Sequence, residues 1–329
     1  MPETEHQESD WLEAAGVTAL PAPAAGDRAV SPVEVVTAPR QPYPLPQRLF
    51  YRAARAGLDL TGLTLSMLGK LAGEVRHQPI DTTEVSVEIS DLPEAFDGLR
   101  VAQLSDIHYG SFLGPEGIER LVALATGLRP DLILLTGDYV NRWPDETRQV
   151  IPLLAKLTAP LGVYAVLGNH DHYAGAAETV RLLSRHGIKP LDHDTEAVQL
   201  GGDRLWLLGA GDYIKDRRYD LNERLAALPP EEPRLVLAHN PDTADLPRSH
   251  RVDLMLSGHT HGGQIRLPRM GAPVLPVYNR LYDQGLFRLA DMQLFVSRGL
   301  GMVGLPIRLN CPPHLPVLRL VSAPKPELQ

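Results

Sequence analysis

Residues 101–108 read Val-Ala-Gln-Leu-Ser-Asp-Ile-His, an apolar run, Val101–Leu104, that ends in Asp106 and His108. The pattern recurs four more times. Leu132–Leu135 runs into Gly137-Asp138, Val163–Leu167 into Gly168-Asn169-His170-Asp171, Leu235–Leu237 into Ala238-His239-Asn240, and Leu254–Leu256 into Gly258-His259-Thr260-His261. Short apolar runs closed by polar, glycine-containing turns read as buried strands. Open α/β sheets place their sites just beyond the carboxyl ends of such strands. Two carboxylates, one amide and four or five imidazoles are therefore predicted to converge as a two-metal site.

The spacing has a physical logic. In Asp106-x-His108 the side chains are two residues apart, so in extended backbone they leave the same face and can meet one ion. His259-x-His261 repeats the device. Hard oxygen donors mixed with imidazole suit manganese, iron, zinc or magnesium, and the absence of thiolates argues against a zinc-finger type of site. A carboxylate such as Asp138 can bridge two cations, because each of its oxygens carries lone pairs. Any one of these short motifs has an ordinary structural reading: Gly-Asp as a turn, Asn169-His170-Asp171 as an Asx turn capping a helix, His239 as a half-buried imidazole. Together those readings fail, because packing does not require Asp, Asn and His at the ends of five separate strands.

The five motifs, in this order over residues 98–265, resemble the calcineurin-like metallophosphoesterase superfamily. The resemblance implies that Asp106, His108, Asp138 and His261 hold a first divalent ion. Asp138 would bridge to a second held by Asn169, His239 and His259, so that a bend after the strand sends His259 and His261 to different ions. Two ions are implied, manganese first among them. His170 would stand outside the coordination shell, touching substrate oxygens and protonating the leaving group. The implied fold is an α/β two-sheet sandwich, α-β-β-α, with helices on its outer faces and the dimetal cleft at one edge.

One departure narrows the substrate. In the protein Ser/Thr phosphatase branch the Gly-Asp is followed by Tyr-Val-Asp-Arg, whose later Asp orients the acid histidine; here the run is Gly137-Asp138-Tyr139-Val140-Asn141-Arg142. Asn141 can hydrogen-bond to an imidazole but cannot stabilise its charged form as a carboxylate would, which argues against a phosphoprotein substrate. Arg142 is a candidate phosphate contact, since a guanidinium fork matches that geometry; the alternative is a solvated loop arginine. Ser257–Pro268 (SGHTHGGQIRLP) and Ser297–Pro313 (SRGLGMVGLPIRLNCPP) are similar to the bacterial phosphodiesterase-like subgroup that includes UDP-2,3-diacylglucosamine pyrophosphatases of lipid A synthesis. The function this implies is hydrolysis of a phosphodiester or pyrophosphate, on a nucleotide lipid of that kind. The alternatives are a general or cyclic-nucleotide phosphodiesterase or phosphomonoesterase, and, from another class, a non-catalytic scaffold, whose mark would be a missing ligand. Arg298 and Arg308 are candidate anion contacts or members of structural salt bridges. His172, His186, His193, His250 and His314 read as surface residues or neighbours of the ligands, with His172 placed to line the cleft.

The rest of the chain sets the frame. Its 329 residues carry a net charge of −8, which gives no electrostatic reason to expect nucleic acid. Cys311 is the only cysteine, so no intrachain disulfide can form, and it reads as a buried thiol. Residues 1–47 are acidic and then Ala/Pro-rich, as disordered segments are. They lack the basic start and apolar core of a secretory signal, so a cytoplasmic protein is expected. Over residues 48–77, Leu49, Ala53, Ala56, Leu60, Leu63, Met67 and Leu71 recur at helical spacing between arginines and Lys70. This predicts a basic amphipathic helix, either peripheral on the inner face of the cell membrane or packed on protein. The catalytic domain then spans 78–322 and a short tail 323–329. Within that domain Thr83–Ser90 reads as a first strand, Pro115–Leu128, Asp145–Leu157 and Ala176–His186 as helices, and Gly201-Gly202 as a hairpin turn.

Overall fold

The computed structural model describes residues 34–35, 79–110, 112–216, 221–246, 248–289, 292–305 and 307–324. Apart from Glu34–Val35, the predicted tail 1–47 and the predicted helix 48–77 lie outside them. In chain order the strands are β1 (Glu34–Val35), β2 (Glu84–Ser90), β3 (Arg100–Leu104), β4 (Leu132–Leu135), β5 (Val163–Ala165), β6 (Lys189–Pro190), β7 (Thr195–Leu200), β8 (Asp203–Gly209), β9 (Arg234–Leu237), β10 (Leu254–Ser257), β11 (Gly285–Arg288), β12 (Gln293–Val296) and β13 (Val317–Ala323). The helices are α1 (Pro115–Gly127), α2 (Pro144–Leu154), α3 (Asn169–Arg185) and α4 (Leu221–Ala226). One sheet has the order β2-β13-β3-β4-β5-β6, the other β1-β11-β12-β10-β9-β8-β7.

The continuous apolar runs are strands buried on both faces, as strands of a covered parallel sheet must be. In β4, Leu132 and Leu134 point between the sheets, packing with Val101, Leu235, Leu237, Leu254 and Leu256. Ile133 and Leu135 point the other way, under Ile118 and Leu121 of α1, Val150 and Leu154 of α2, and Leu182 and Leu183 of α3. The outer face of the second sheet is covered more thinly. Val236, Met255, Leu294 and Val296 pack beneath Leu225 of the six-residue α4, Ala244 of a 3₁₀ turn at Pro241–Asp245, and Tyr282 of a loop. The Gly201-Gly202 hairpin forms, pairing β7 with β8 from Thr195↔Leu208 to Leu200↔Asp203.

The third helix begins earlier than its sequence suggests. It starts at Asn169 because Asp171, three residues past Gly168, accepts the Gly168 amide at 2.9 Å, the reciprocal half of a capping box. Gly175, at φ +118°, then kinks it and breaks the apolar periodicity that would have marked its first turn.

The parallel strands bring their carboxyl ends to one edge. β3, β4 and β5 are adjacent in the first sheet, β9 and β10 in the second. The buried Gln103 joins the two sheets, its Nε2 donating to Ser257 O and Thr136 Oγ1, both at 2.9 Å. Gly258 allows a close approach at the site: a Cβ there would stand 1.9 Å from Ser105 Oγ.

Candidate metal centre

The chain leaves β3, β4 and β10 through sharp bends. Asp106, His108, Asp138, His259 and His261 have φ of +52°, +48°, +57°, +66° and +52°, and they make up five of the eleven non-glycine residues with positive φ among the described residues. Side-chain-bearing residues seldom adopt that region, and they do so most often at functional sites. The finding corrects the extended geometry expected for Asp106-x-His108. Both residues bend, as His259 and His261 do, and the bends rather than the alternation of a strand aim the side chains.

Six of the seven predicted ligands meet at the sheet edge, and all seven, Asn169 included, are less than a tenth exposed. His261 Nε2 is 3.3 Å from Asp106 Oδ1 and 3.1 Å from His108 Nε2. His259 Nδ1 is 3.2 Å from His239 Nε2. Between these groups lies Asp138 Oδ2, 3.5 Å from His108 Nε2 on one side and 3.1 Å from His239 Nε2 on the other. Atoms bound about 2.0–2.2 Å from one ion stand roughly 3.0–3.5 Å from each other, and these separations are of that size. Asp106, His108 and His261 form one cluster able to hold an ion, and Asp138, His239 and His259 a second. Asn169, a buried amide, has no partner for its Oδ1. An orphaned buried acceptor beside such clusters fits a cation, and the residues suit a dinuclear divalent site.

The electrostatics agree with that use. Burial holds His108 and His259 down to about 3 and His261 well below its ordinary value, so all three are neutral imidazoles with a lone pair to offer. Burial pushes Asp106 up to about 6. Burial would also raise Asp138, but the His239 and His170 imidazoles hold it well below the usual carboxylate range. Against the effect of burial, Asp138 raises His239 to about 10, a proton that a cation would displace. Main-chain carbonyls fix two rings: His239 Nδ1 donates to Thr136 O at 2.8 Å and His259 Nε2 to Pro276 O at 2.9 Å, leaving the opposite nitrogens for the site.

His170 lies at the mouth, half-buried, its ring 4.7 Å from that of His108. Its Nδ1 donates to the main-chain oxygen of Asn141. The Asn141 amide itself donates to His108 O and Tyr109 O, both at 3.3 Å, so the partner of the imidazole is a backbone carbonyl and not the side chain. Arg142 is exposed, with its guanidinium carbon 5.6 Å from the Tyr173 ring centre. Arg308 is buried and gives its guanidinium to the carbonyls of Gly301, Arg298 and Cys311, while Arg298 pairs with Asp81 at 2.5 Å. His314 is buried rather than superficial and bonds Thr83 Oγ1 at 2.7 Å. Cys311 is a buried thiol.

The sequence reading missed Asp171. Buried, it accepts the amides of Asp138, Tyr139 and Gly168 at 2.7, 2.9 and 2.9 Å, which ties the loop carrying Asp138 to the one carrying Asn169. Its place in Gly168-Asn169-His170-Asp171 was the available signal. Lys215, Nζ 4.4 Å from the Tyr173 ring centre, was also missed, and no pattern in the sequence marks it.

A model of the calcineurin-like phosphoesterase family matches residues 99–263. The metallophosphoesterase YkuE of Bacillus subtilis (strain 168) is 34% identical over 248 residues, 74% of this chain and 86% of YkuE. The phosphodiesterase YaeI of Escherichia coli (strain K12) is 35% identical over 234 residues, 68% of this chain and 82% of YaeI. A transmembrane protein with metallophosphoesterase domain of Danio rerio is 32% identical over 246 residues, 70% of this chain but 55% of that protein, so the chain spans about half of its length. No helix among the described residues is long and apolar enough to cross a membrane.

Proposed function

The chain belongs to the calcineurin-like phosphoesterase family, a family of phosphoester hydrolases, and on that premise we propose that it hydrolyses phosphodiester or pyrophosphate bonds at a dinuclear centre. The observation that supports this most is Asp138 Oδ2, a single carboxylate oxygen set between His108 and His239. Asp106, His108, Asp138 and His261 would hold one ion, and Asp138, Asn169, His239 and His259 the other. Such ions, when bound, supply Lewis-acid charge at a phosphoryl oxygen and lower the pKa of water. Around them the protein's own groups act. Asn141 O takes the Nδ1–H of His170, so Nε2 is left to face the leaving oxygen, and the ring passes it a proton from Nε2 when it is in its imidazolium form. Arg142, held beside it over Tyr173, offers a guanidinium fork to the phosphate oxygens of the substrate.

The donor set, hard oxygens with imidazoles, suits manganese, iron, zinc or magnesium, and we take manganese as the first to test. Metal analysis of purified protein tests this: two ions per chain with manganese restoring activity to chelated protein is expected, and less than one ion with no response to manganese overturns it. Two substrate readings remain, each with its own support. The similarity of Ser257–Pro268 and Ser297–Pro313 to nucleotide-lipid pyrophosphatases supports UDP-2,3-diacylglucosamine, and the amphipathic pattern of 48–77 would bring the enzyme to the membrane where such a lipid resides. The likeness to YaeI, named a phosphodiesterase, supports a general diesterase equally well. Assay of the manganese-loaded protein against UDP-2,3-diacylglucosamine, bis-p-nitrophenyl phosphate and p-nitrophenyl phosphate separates them by product.

A further inference from the structure

The loop after β8, Gly211–Asp216, takes no part in the proposed metal centre but is anchored beside it. Asp212 is buried, and His239, His172 and Asp138 all lie near enough to act on its charge. Its Oδ1 accepts the amides of Ile214 at 3.1 Å and Lys215 at 2.7 Å, and its carbonyl accepts the Asp216 amide at 2.8 Å. At the far end of the loop, Asp216 Oδ2 is 2.8 Å from His193 Nε2. Lys215 is thus held from both sides, and its ammonium rests 4.4 Å from the centre of the Tyr173 ring. The same ring carries the Arg142 guanidinium and meets the His170 ring edge-on, at 5.5 Å between centres.

Two cations brought by different loops to one aromatic ring next to His170 are more charge than one transferred phosphoryl group needs. We propose that Lys215, together with Arg142, binds a second phosphate on the leaving-group side, so that the preferred substrate class is a phosphoanhydride, in which the leaving group is itself a phosphate. This deepens the hydrolase reading above and rests on it. Tyr173 holds the cations apart from the metal ligands by cation–π contact, and the anchored backbone leaves little loop entropy to be lost on binding. In the reaction, water oxygen bonds to the attacked phosphorus. The bridging P–O bond breaks with its electron pair on the second phosphate, and the two protons of water end on the two monoester products or in solvent. The leaving phosphate, already stabilised by two cations, has less need of a proton from His170 than an alkoxide would.

The test uses the full chain loaded with manganese at fixed free metal, with AMP and α,β-methylene-ADP as ligands in equilibrium dialysis and bis-p-nitrophenyl phosphate as substrate. Charge-assisted contacts are roughly twice as strong as neutral ones, so wild-type protein is expected to bind α,β-methylene-ADP about 10-fold or more tighter than AMP. Lys215→Met should erase most of that preference by weakening α,β-methylene-ADP far more than AMP, and Lys215→Arg should restore it. Equal binding of the two nucleotides by wild type, or a Lys215→Met variant that loses both ligands and turnover in parallel, overturns the proposal. The two readings fail separately: a protein that hydrolyses the diester but shows no preference dependent on Lys215 refutes the second-phosphate site alone. A protein that shows the preference but hydrolyses nothing refutes the hydrolase reading alone.

Discussion

A single methyl group tests whether the two sheets place the site as described. In Gly258→Ala the new Cβ would stand 1.9 Å from Ser105 Oγ and 2.2 Å from Asp106 Oδ2, where ordinary contact begins at 3.4 Å. Gly258 is not among the residues with positive φ, so the effect is steric alone. Both neighbours are fully buried and bonded in place: Ser105 Oγ donates to Asp106 Oδ2 at 2.6 Å, and the His259 amide donates to both Asp106 oxygens at 2.9 and 3.1 Å. Relief therefore requires Asp106 to move by roughly 1 Å or β10 to shift away from β3. Overpacking of this kind costs about 1–3 kcal/mol, a loss of roughly 2–6 °C in Tm for a domain of this size. Misplacement of a positioned group by about 1 Å can cost on the order of 10²-fold in rate. Calorimetry, metal content and bis-p-nitrophenyl phosphate turnover should all report the change, with the ion at the Asp106 cluster the first to be lost. Gly127→Ala, at a helical position with nothing within 4 Å, is the matched control and should be neutral or slightly stabilising. If Gly258→Ala keeps two ions per chain, a turnover within about threefold of wild type and an unchanged Tm, the juxtaposition of β3 and β10 at the site is wrong.

Asp138→Asn should cost more activity than loss of any other single ligand, because the amide cannot serve both sides of Oδ2 and also accept the His170 amide that Oδ1 receives at 2.9 Å; two tightly held metals and near-native turnover would refute the bridging role. His170→Ala should lower turnover of a simple diester by roughly 10²–10⁴ with metal content intact, whereas metal loss would move His170 into the coordination shell. His314 is held by burial down to about 3, below its unfolded value of 6.5, so its contribution to stability is present above pH 6.5 and is lost as pH falls from there toward 3. At pH 5 that loss is about 2 kcal/mol, and urea titrations should show a shallower decline between pH 7 and 5 for His314→Gln than for wild type. Leu60→Glu with Leu63→Glu should abolish co-sedimentation with anionic vesicles at low salt if residues 48–77 bind membrane; wild-type protein that never sediments removes the membrane reading.

What the sequence made legible follows from where the information lies. Buried strands are mostly apolar on both faces, so Leu132–Leu135 and Leu254–Leu256, and Val101–Leu104 but for Gln103, declared themselves by composition, and polar residues directly after them stood out by contrast. The α3 start was harder to see because its signal is a cap: Asp171 reaching the Gly168 amide outweighs the glycine at 175 that interrupts the helix. Backbone acceptors are invisible to any reading of side chains, which is why the partner of His170 was sought in the Asn141 amide and found in the Asn141 carbonyl. The arginines show the same limit from the other side. Nothing in the sequence distinguishes Arg308, spent on buried carbonyls, from Arg142, which lies exposed over Tyr173.

The strained bends supply the deeper reason that the motifs and the fold depend on each other. Five charged or imidazole-bearing residues in the left-handed region would cost on the order of 1–3 kcal/mol each, and no packing gain accompanies them, because their side chains point at one another across 3.1–3.5 Å. Such a conformation persists only where its surroundings leave no alternative. Here the surroundings are the ladder bonds of the bends themselves, Asp106 N to Gly137 O at 3.0 Å, His108 N to Asp138 O at 3.1 Å and Gly258 N to His239 O at 2.9 Å, with the Gln103 bonds locking one sheet to the other. The bends after β3 and β4 therefore hold each other, and the one after β10 is held through Gly258 by the residue that follows β9. Bound cations would relieve the crowding of donors that the fold enforces, so metal loading should raise stability as well as activity, by the mass-action increment that binding to the native state alone requires.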